Sequence, residues 1–311
     1  MNKKRKRRIL GIIRLFLTII FILLFIYFII IGIKTVSKKE KNEANNTNET
    51  TEKNEIESKY TKEEQSKLEK LNYINEKIDY FKMENIDRYI EYKEKNNDLN
   101  NEKIVLYVNI GIDKDFYSNI YTSPNQNTNT ILVNKYYAID STFEPKDLVN
   151  IDSKYRTRND AQMTKEATEA FNKLASDAQK EGYTILAMST YRSYSRQKTI
   201  YNNYVSYDGV KKADTYSARP GHSEHHTGLA VDVKNKDKVY TKFGETEEFI
   251  WMKENAHKYG FILRYTTENE FITGYKNEPW HYRYVGIEIA TQMKKENISS
   301  YEEYYFMYLD K

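Results

Sequence analysis

Two stretches of this sequence determine how its carboxyl-terminal half folds: Ala218–Val233, ARPGHSEHHTGLAVDV, and Glu278–Gly286, EPWHYRYVG. The first places a histidine and a carboxylate seven positions apart, His225 and Asp232. The second supplies His281, with Glu278 just upstream. A catalytic zinc takes three protein ligands and keeps one position open for water. We therefore predict a Zn2+ site on His225, Asp232 and His281, with Glu278 as the base that accepts a proton.

The residues around Asp232 alternate as in a half-buried strand. Leu229, Val231 and Val233 alternate with Ala230 and Asp232, and this period of two places the apolar side chains on one face. Asp232 is therefore predicted to point away from the core. The small Ala230 on the same side leaves room for a metal and a substrate.

The second stretch also has a defined local conformation. Pro279 disfavours a helical conformation at Glu278, so we predict an extended or turn entry there, followed by a strand. In that strand His281 and Arg283 share one face, and the aromatic residues take the other: Trp280, Tyr282 and Tyr284.

Strands interspersed with amphipathic helices predict an α+β domain, with a small antiparallel sheet and packed helices around a zinc cleft. The predicted helices cover 159–180, 195–205, 247–259 and 284–297, and a strand covers 183–189. Upstream, apolar residues from Glu63 onward recur at helical spacing. The strand formers at 104–108 and 130–133 predict two further strands.

Four ordered motifs make the chain similar to the VanY-type D-alanyl-D-alanine carboxypeptidases, a zinc peptidase family that includes LD-carboxypeptidases and VanX-type dipeptidases. The family pattern Ser-x-His-x-x-Gly-x-Ala-x-Asp matches 223–232, and Glu-x-Trp-His matches 278–281. Tyr-Arg-Ser at 191–193 and Gly-Phe-Ile-Leu-Arg-Tyr at 260–265 resemble two more shared blocks. The resemblance covers about 159–286.

This resemblance implies roles for further residues. It implies that Arg192 stabilises the oxyanion and that Gln197 contacts the substrate. Ser223 is predicted to contact the substrate or to hold the loop that carries His225. It also implies a substrate class, the stem peptides of peptidoglycan, from which a carboxypeptidase removes the terminal D-alanine. The chain departs from the pattern at Thr190 and His226, where glycine and glutamine are common; both changes affect the expected shape of the cleft.

The charge distribution argues against nucleic-acid binding. The formal net charge is +4, but six basic residues lie together at 3–8 and leave the rest of the chain at −2. They precede an apolar run at 15–33, long enough to cross a bilayer as a helix. No clear cleavage site follows it. The positive-inside rule then places the amino terminus in the cytoplasm and the remainder outside the cell membrane.

The predicted organisation has five parts. These are a cytoplasmic basic flank at 1–14, a transmembrane anchor at 15–33, a flexible linker at 34–62, an accessory helical and β region at 63–150, and a monomeric zinc carboxypeptidase domain at 151–311. The chain contains no cysteine, which excludes disulfides, thiolate zinc ligands and cysteine-nucleophile hydrolases.

Three alternatives stay open. The same catalytic motifs serve LD-carboxypeptidases, which act on tetrapeptide stems. Ser195-Arg196-Gln197-Lys198 satisfies the Ser-x-x-Lys pattern of serine carboxypeptidases, but its companion motifs Ser-Asp-Asn and Lys-Thr-Gly are missing. A zinc-stabilised wall-binding module without catalysis is the third. Among the remaining histidines, His222 and His226 are interpreted as loop or rim residues and His257 as a structural residue. Asp214 and Arg219 are interpreted as a structural ion pair.

Overall fold

The computed structural model describes residues 60–71 and 78–310. The described residues fall into two units, one that contains 60–71 and one that contains 78–310. In the first unit one helix is described, α1 (Lys62–Leu71). The predicted basic flank, the anchor and almost all of the linker lie outside the described residues. Within residues 60–71 and 78–310, no helix is long and apolar enough to span a membrane.

The second unit alternates helices and short strands. In chain order they are α2 (Ile86–Lys95), α3 (Asn101–Ile110), β1 (Tyr121–Thr122), β2 (Tyr137–Ala138), β3 (Leu148–Asn150), β4 (Gln162–Thr164), α4 (Lys165–Lys180), β5 (Leu186–Ser189), α5 (Tyr194–Asp208), α6 (Val210–Ala213), β6 (Ala230–Lys234), α7 (Glu247–Asn255), β7 (Phe261–Leu263), α8 (Glu270–Thr273), β8 (His281–Tyr284), α9 (Ile287–Glu296) and α10 (Tyr301–Tyr304). The predicted mixed α+β class is confirmed.

The central sheet has four antiparallel strands in the order β5-β6-β8-β7. Its register pairs Asp232 of β6 with His281 of β8 on one side and with Ser189 of β5 on the other. Directly opposed residues on neighbouring strands point to the same face. The pairing therefore brings two halves of the predicted zinc site together across 49 residues of sequence.

The two faces of this sheet differ in chemistry, as the alternation predicts. The apolar positions of β6 and β8 join a core with helix α4, and this cluster includes Phe171, Leu174, Val231, Val233, Tyr282 and Tyr284. The opposite face carries Asp232, His281 and Arg283. The predicted division into a polar and an aromatic face is thus confirmed for the four residues of β8, whereas Trp280 precedes the strand. The polar side chains of β6 and β8 share one face of the sheet.

The predicted strand at 104–108 is wrong, because these residues form the middle of helix α3. The Asn100 side chain accepts a hydrogen bond from the Lys103 N–H at the start of the helix, and Gly111 ends it with a φ of +102°. All five residues of 104–108 are buried. A helix that is apolar all round shows no period, so it cannot be distinguished from a buried strand by pattern.

The predicted strand at 130–133 is a loop in the structure. Ile131, Leu132 and Val133 are nevertheless buried. The Arg283 Nη2 donates to the backbone carbonyls of Asn129 and Ile131, at 3.2 and 2.7 Å. A buried arginine thus takes the place of a strand partner for this backbone.

Several helix boundaries also move. Helix α4 begins at Lys165 rather than 159, because 162–164 pairs with 148–150 as strand β4. Helix α9 begins at Ile287 rather than 284, because Tyr284 still belongs to strand β8. Helix α5 is longer than predicted and ends at Asp208. These differences arise at element ends, where backbone pairing with distant residues decides the conformation.

Gly260 lies at a close approach and is expected to be intolerant of substitution. Its φ is +83°, and a Cβ there would lie 2.6 Å from Tyr284 Cε2 and 2.9 Å from the carbonyl carbon of Gly286. Gly260→Ala is expected to lower the free energy of unfolding by the left-handed backbone cost, about 1–2 kcal/mol, plus about 1–3 kcal/mol of overpacking. Urea unfolding of Gly260→Ala and of the unsubstituted chain measures the difference in the free energy of unfolding.

Gly182→Ala is the matched control for Gly260→Ala. Gly182 has a φ of +93°, but a Cβ at this position meets nothing within 4 Å. Only the backbone cost of about 1–2 kcal/mol is expected there. Equal decreases in the free energy of unfolding at the two positions would show that the close approach to Tyr284 contributes nothing to the effect of Gly260→Ala.

Candidate metal centre

The structure brings the three predicted metal ligands together. His225 Nε2 lies 3.3 Å from Asp232 Oδ2, and His281 Nδ1 lies 2.9 Å from Asp232 Oδ1. One ligand atom from each residue falls within 4.8 Å of the others, and all three residues are buried. A cluster of two imidazole nitrogens and one carboxylate oxygen at this spacing can hold one small dication.

Each histidine is oriented through its other ring nitrogen. His225 Nδ1 lies 2.8 Å from the Thr190 carbonyl oxygen, and His281 Nε2 lies 3.2 Å from Glu224 Oε2. Because these acceptors hold a proton on the far nitrogen, the near nitrogen keeps its lone pair for a cation. The donor set therefore fits Zn2+. The departure from the family pattern at Thr190 does not disturb this contact, since the backbone carbonyl makes it.

Glu224 was not predicted from the sequence. Its side chain is fully buried and accepts hydrogen bonds from Arg264 Nε at 2.8 Å and Arg283 Nη1 at 3.0 Å. Burial opposes ionisation, but the two arginines hold the pKa of Glu224 far below its usual value. The available signal was Arg283, which the strand pattern places beside His281 and which needs a carboxylate partner when buried.

The electrostatics of the ligands favour positive charge between them. Burial opposes ionisation of Asp232, yet the two neighbouring histidines lower its pKa well below the usual range. Burial also lowers the pKa of His281, but hydrogen bonds to Asp232 and Glu224 outweigh it and raise this pKa to about 9. Carboxylates that stabilise a proton on His281 also stabilise a metal cation at the same nitrogen.

Glu278 lies beside the cluster, at the turn that the sequence predicts. Its N–H donates to the Tyr265 carbonyl, and its own carbonyl accepts from the His281 N–H, both at 3.0 Å. Its Oε2 is 3.9 Å from His281 Nδ1. Burial raises the pKa of Glu278 to about 8, although His281 opposes this. A nearby cation lowers such a pKa again, toward the range in which the ionised form serves as a base at neutral pH.

Arg192 faces the same cluster. Its side-chain Nη2 lies 3.9 Å from Asp232 Oδ2, and its backbone N–H donates to the backbone carbonyl of His225. The guanidinium is fixed by Gln197 Oε1 at 2.7 Å and Ser189 Oγ at 2.8 Å. Gln197 in turn donates through Nε2 to the Ala218 carbonyl. The amide of Gln197 thus orients Arg192, while its predicted contact with substrate stays a prediction.

These groups open onto a cleft of about 490 Å³. Ser223, buried but on the cleft wall, lines it together with Trp280 and several tyrosines: Tyr204, Tyr216, Tyr240, Tyr265 and Tyr275. Tyr240 packs edge-on against Trp280 with ring centroids 5.1 Å apart. Aromatic walls with a few convergent polar groups are typical of a ligand-binding cleft.

The other singled-out residues lie outside this cleft. His222 lies in a loop, as predicted, and His226 lies in a short 3-10 turn. Neither is at the rim of the cleft, because both are buried, with ring nitrogens on the carbonyl oxygens of Asn134 and Phe143. Asp214 and Arg219 form the predicted ion pair, at 2.8 Å. Ser195 is exposed and hydrogen-bonds Ser193, so the Ser-x-x-Lys match lies on the outer surface of helix α5.

The antiparallel sheet, the His/Asp/His cluster and the partly buried Glu278 beside it define a domain of the zinc peptidase class. The chain belongs to the VanY family, described as D-alanyl-D-alanine carboxypeptidase, which it matches over residues 160–287. The resemblance predicted from the four motifs is thereby confirmed.

Individual relatives bear this out. The putative carboxypeptidase YodJ of Bacillus subtilis is 44% identical over 180 residues, which are 56% of this chain and 66% of that protein. A D-alanyl-D-alanine carboxypeptidase of Enterococcus faecium is 32% identical over 186 residues, 57% of this chain and 58% of that protein. The chain thus spans 58% to 66% of the lengths of these two relatives.

Solved structures show the same fold. The LdcB LD-carboxypeptidase superposes with a TM-score of 0.57 at 40% identity, covering 61% of this chain and 91% of that one. The D,D-dipeptidase VanXYg, solved with a D-Ala-D-Ala phosphinate analogue, superposes with a TM-score of 0.50 at 34% identity, covering 57% of this chain and 70% of that one.

Proposed function

We propose that this protein is a membrane-anchored zinc D-alanyl-D-alanine carboxypeptidase that removes the terminal D-alanine from peptidoglycan stem peptides. The observation that carries the proposal is the convergence of His225, Asp232 and His281 with Glu278 and Arg192 on one cleft. Family membership supports the reaction class, and the description D-alanyl-D-alanine carboxypeptidase supports the substrate class.

The residues divide the chemistry between them. His225, Asp232 and His281 would hold the zinc ion, which supplies a Lewis acid that polarises the scissile carbonyl and lowers the pKa of water. Glu278 accepts the proton of the attacking water and returns it to the departing amine of D-alanine. Its burial and its position beside His281 suit a group that must both take up and release a proton.

Arg192 is placed to stabilise the negative charge that develops on the carbonyl oxygen. A preorganised cation is effective here because it does not have to reorient during the reaction. Gln197 and Ser189 provide that preorganisation through two short hydrogen bonds to the guanidinium. This fixed orientation supports the oxyanion role that the family resemblance implies.

An LD-carboxypeptidase acting on tetrapeptide stems is the second candidate. It is supported by the superposition on the LdcB LD-carboxypeptidase, which is 40% identical to this chain. Both candidates require the same ligands, base and arginine. They differ in the stereochemistry that the walls of the cleft accept.

We also propose that residues 15–33 anchor the chain in the cell membrane, with the catalytic domain on the extracytoplasmic side. The support is the basic cluster at 3–8 followed by nineteen nearly uninterrupted apolar residues. This location would give the domain access to the cell wall.

The test uses the full-length chain in detergent micelles, incubated with muropeptides that end in D-Ala-D-Ala and with tetrapeptides. Products are identified by mass spectrometry with and without a chelator. Loss of one alanine from the pentapeptide, abolished by the chelator and restored by zinc, is expected. Cleavage of the tetrapeptide alone would establish the LD candidate.

The same experiment decides the two remaining alternatives. Inhibition by a β-lactam but not by the chelator would point to a serine enzyme, although Ser195 lies outside the cleft. Zinc binding without hydrolysis of either peptide would leave a wall-binding module.

A further inference from the structure

A group of four charged side chains lies directly behind the proposed metal centre, and all four are completely buried: Glu224, Arg264, Arg283 and Glu302. We call this group the buried charge cluster. Two arginines balance two glutamates, so the cluster is neutral overall. Its side chains contact a proposed ligand through the 3.2 Å hydrogen bond between Glu224 Oε2 and His281 Nε2, and the backbone N–H of Arg264 donates to the His281 carbonyl, also at 3.2 Å.

Glu302 belongs to a part of the chain that the family match does not include. The match ends at residue 287, whereas Glu302 lies in helix α10 near the end of the described chain. Its carboxylate forms a bidentate pair with Arg264, at 2.9 Å to Nη1 and 2.7 Å to Nη2. Such a pair fixes the plane and the direction of a guanidinium.

The orientation of the Arg264 guanidinium determines the direction of its remaining donor, the Nε–H. Arg264 Nε donates to Glu224 Oε1 at 2.8 Å, and Arg283 Nη1 donates to the same oxygen at 3.0 Å. Because both arginines hold Oε1, the other oxygen of Glu224 remains directed at His281. Contacts therefore run from Glu302 through Arg264 and Glu224 to the imidazole of His281.

From these contacts we infer that Glu302 is a positioning residue for the proposed metal centre. Glu302 fixes the orientation of His281 and keeps the buried charge cluster neutral. Both effects favour zinc binding, and the inference therefore rests on the proposed function. Without the carboxylate of Glu302 the cluster would carry one uncompensated positive charge close to the site of a dication. Electrostatic repulsion between like charges is strong where water is excluded.

Tyr301, the neighbour of Glu302, supports this assignment. Its ring lies under the guanidinium of Arg283, 5.4 Å from ring centroid to Cζ, and 6.0 Å from that of Arg264. The Asn134 amide also donates to Glu302 Oε1 at 3.2 Å. Helix α10 is thus attached to the buried charge cluster at several points.

The test is the zinc affinity of Glu302→Gln, measured on the full-length chain in detergent by competition with a chromophoric chelator. Loss of the direct hydrogen-bond partner of a metal-ligating histidine, here Glu224, weakens metal binding about 10–100-fold. Glu302 acts on that partner through Arg264, so a loss at the lower end of this range, about 10-fold, is expected. Glu302→Asp keeps the charge and should lose less. If Glu302→Gln does not fold, Glu302→Asp decides the question alone: its shorter side chain cannot keep both hydrogen bonds to Arg264, so a loss of more than twofold is expected, and a smaller loss would overturn the inference.

Two controls separate positioning from general destabilisation. Glu303→Gln removes the same charge from the same helix, but Glu303 caps Ser300 and a glutamine can replace it there. Gly182→Ala lowers stability at a site remote from the cluster. Both are expected to bind zinc within twofold of the unsubstituted chain.

The outcomes distinguish the inference from the proposed function. Zinc affinity within twofold of the unsubstituted chain in both Glu302 variants, or an equal loss in Gly182→Ala, would overturn the inference while leaving the peptidase proposal standing. Zinc binding without cleavage of any wall peptide by the unsubstituted chain would end the peptidase proposal alone. An unsubstituted chain that binds no zinc would end both.

Discussion

Glu278→Gln is expected to reduce kcat by about 10²–10⁴-fold while zinc stays bound, because glutamine cannot accept the proton of the attacking water. Glutamine has nearly the shape of glutamate and can keep its place beside His281. The substitution therefore removes proton transfer rather than the site itself. Turnover of muropeptides and zinc content, measured on the same preparation, check the two halves of the prediction.

The comparison with Glu303→Gln makes this result specific. Glu303 is also a partly buried glutamate, but it lies in helix α10 and outside the cleft. Its substitution is expected to leave kcat unchanged. A Glu278→Gln enzyme with full turnover and bound zinc would show that another group removes the proton.

Asp232→Asn is expected to abolish both zinc binding and turnover. Asp232 is the one carboxylate among the three proposed ligands, and it contacts both His225 and His281. An amide has no negative charge to offset a buried dication. The loss of zinc affinity should exceed the roughly 10–100-fold that follows removal of a ligand's outer hydrogen-bond partner. Calorimetric titration with zinc measures it.

His226→Gln is the control for the loop that carries His225. His226 is buried next to a proposed ligand but bonds only the Phe143 carbonyl through Nε2, a contact that a glutamine amide can also make. Zinc affinity and turnover are expected to stay near those of the unsubstituted chain. Retention of zinc by Asp232→Asn would contradict the assignment of this carboxylate as a ligand.

Much of the site was predictable because its signals are local. The alternation through Asp232 and the proline after Glu278 each act within a few residues, and they correctly predict which side chains leave the core face. The motif resemblance supplied Arg192 in the same way. Strand 104–108 failed for the opposite reason: a helix buried on every side leaves no period to read.

The sequence by itself predicted the histidine and aspartate ligands of the proposed metal site, and it correctly indicated the amphipathic strands, the α+β class and the family. The tertiary structure alone decided that Asp232 pairs with His281 across strands β6 and β8, and that Glu224 reaches His281 from behind. It also decided that Glu302 joins the same buried charge cluster through Arg264. The physical reason is that a buried charge takes its partner from whatever packs against it, and these partners come from segments distant in sequence, which no local pattern encodes.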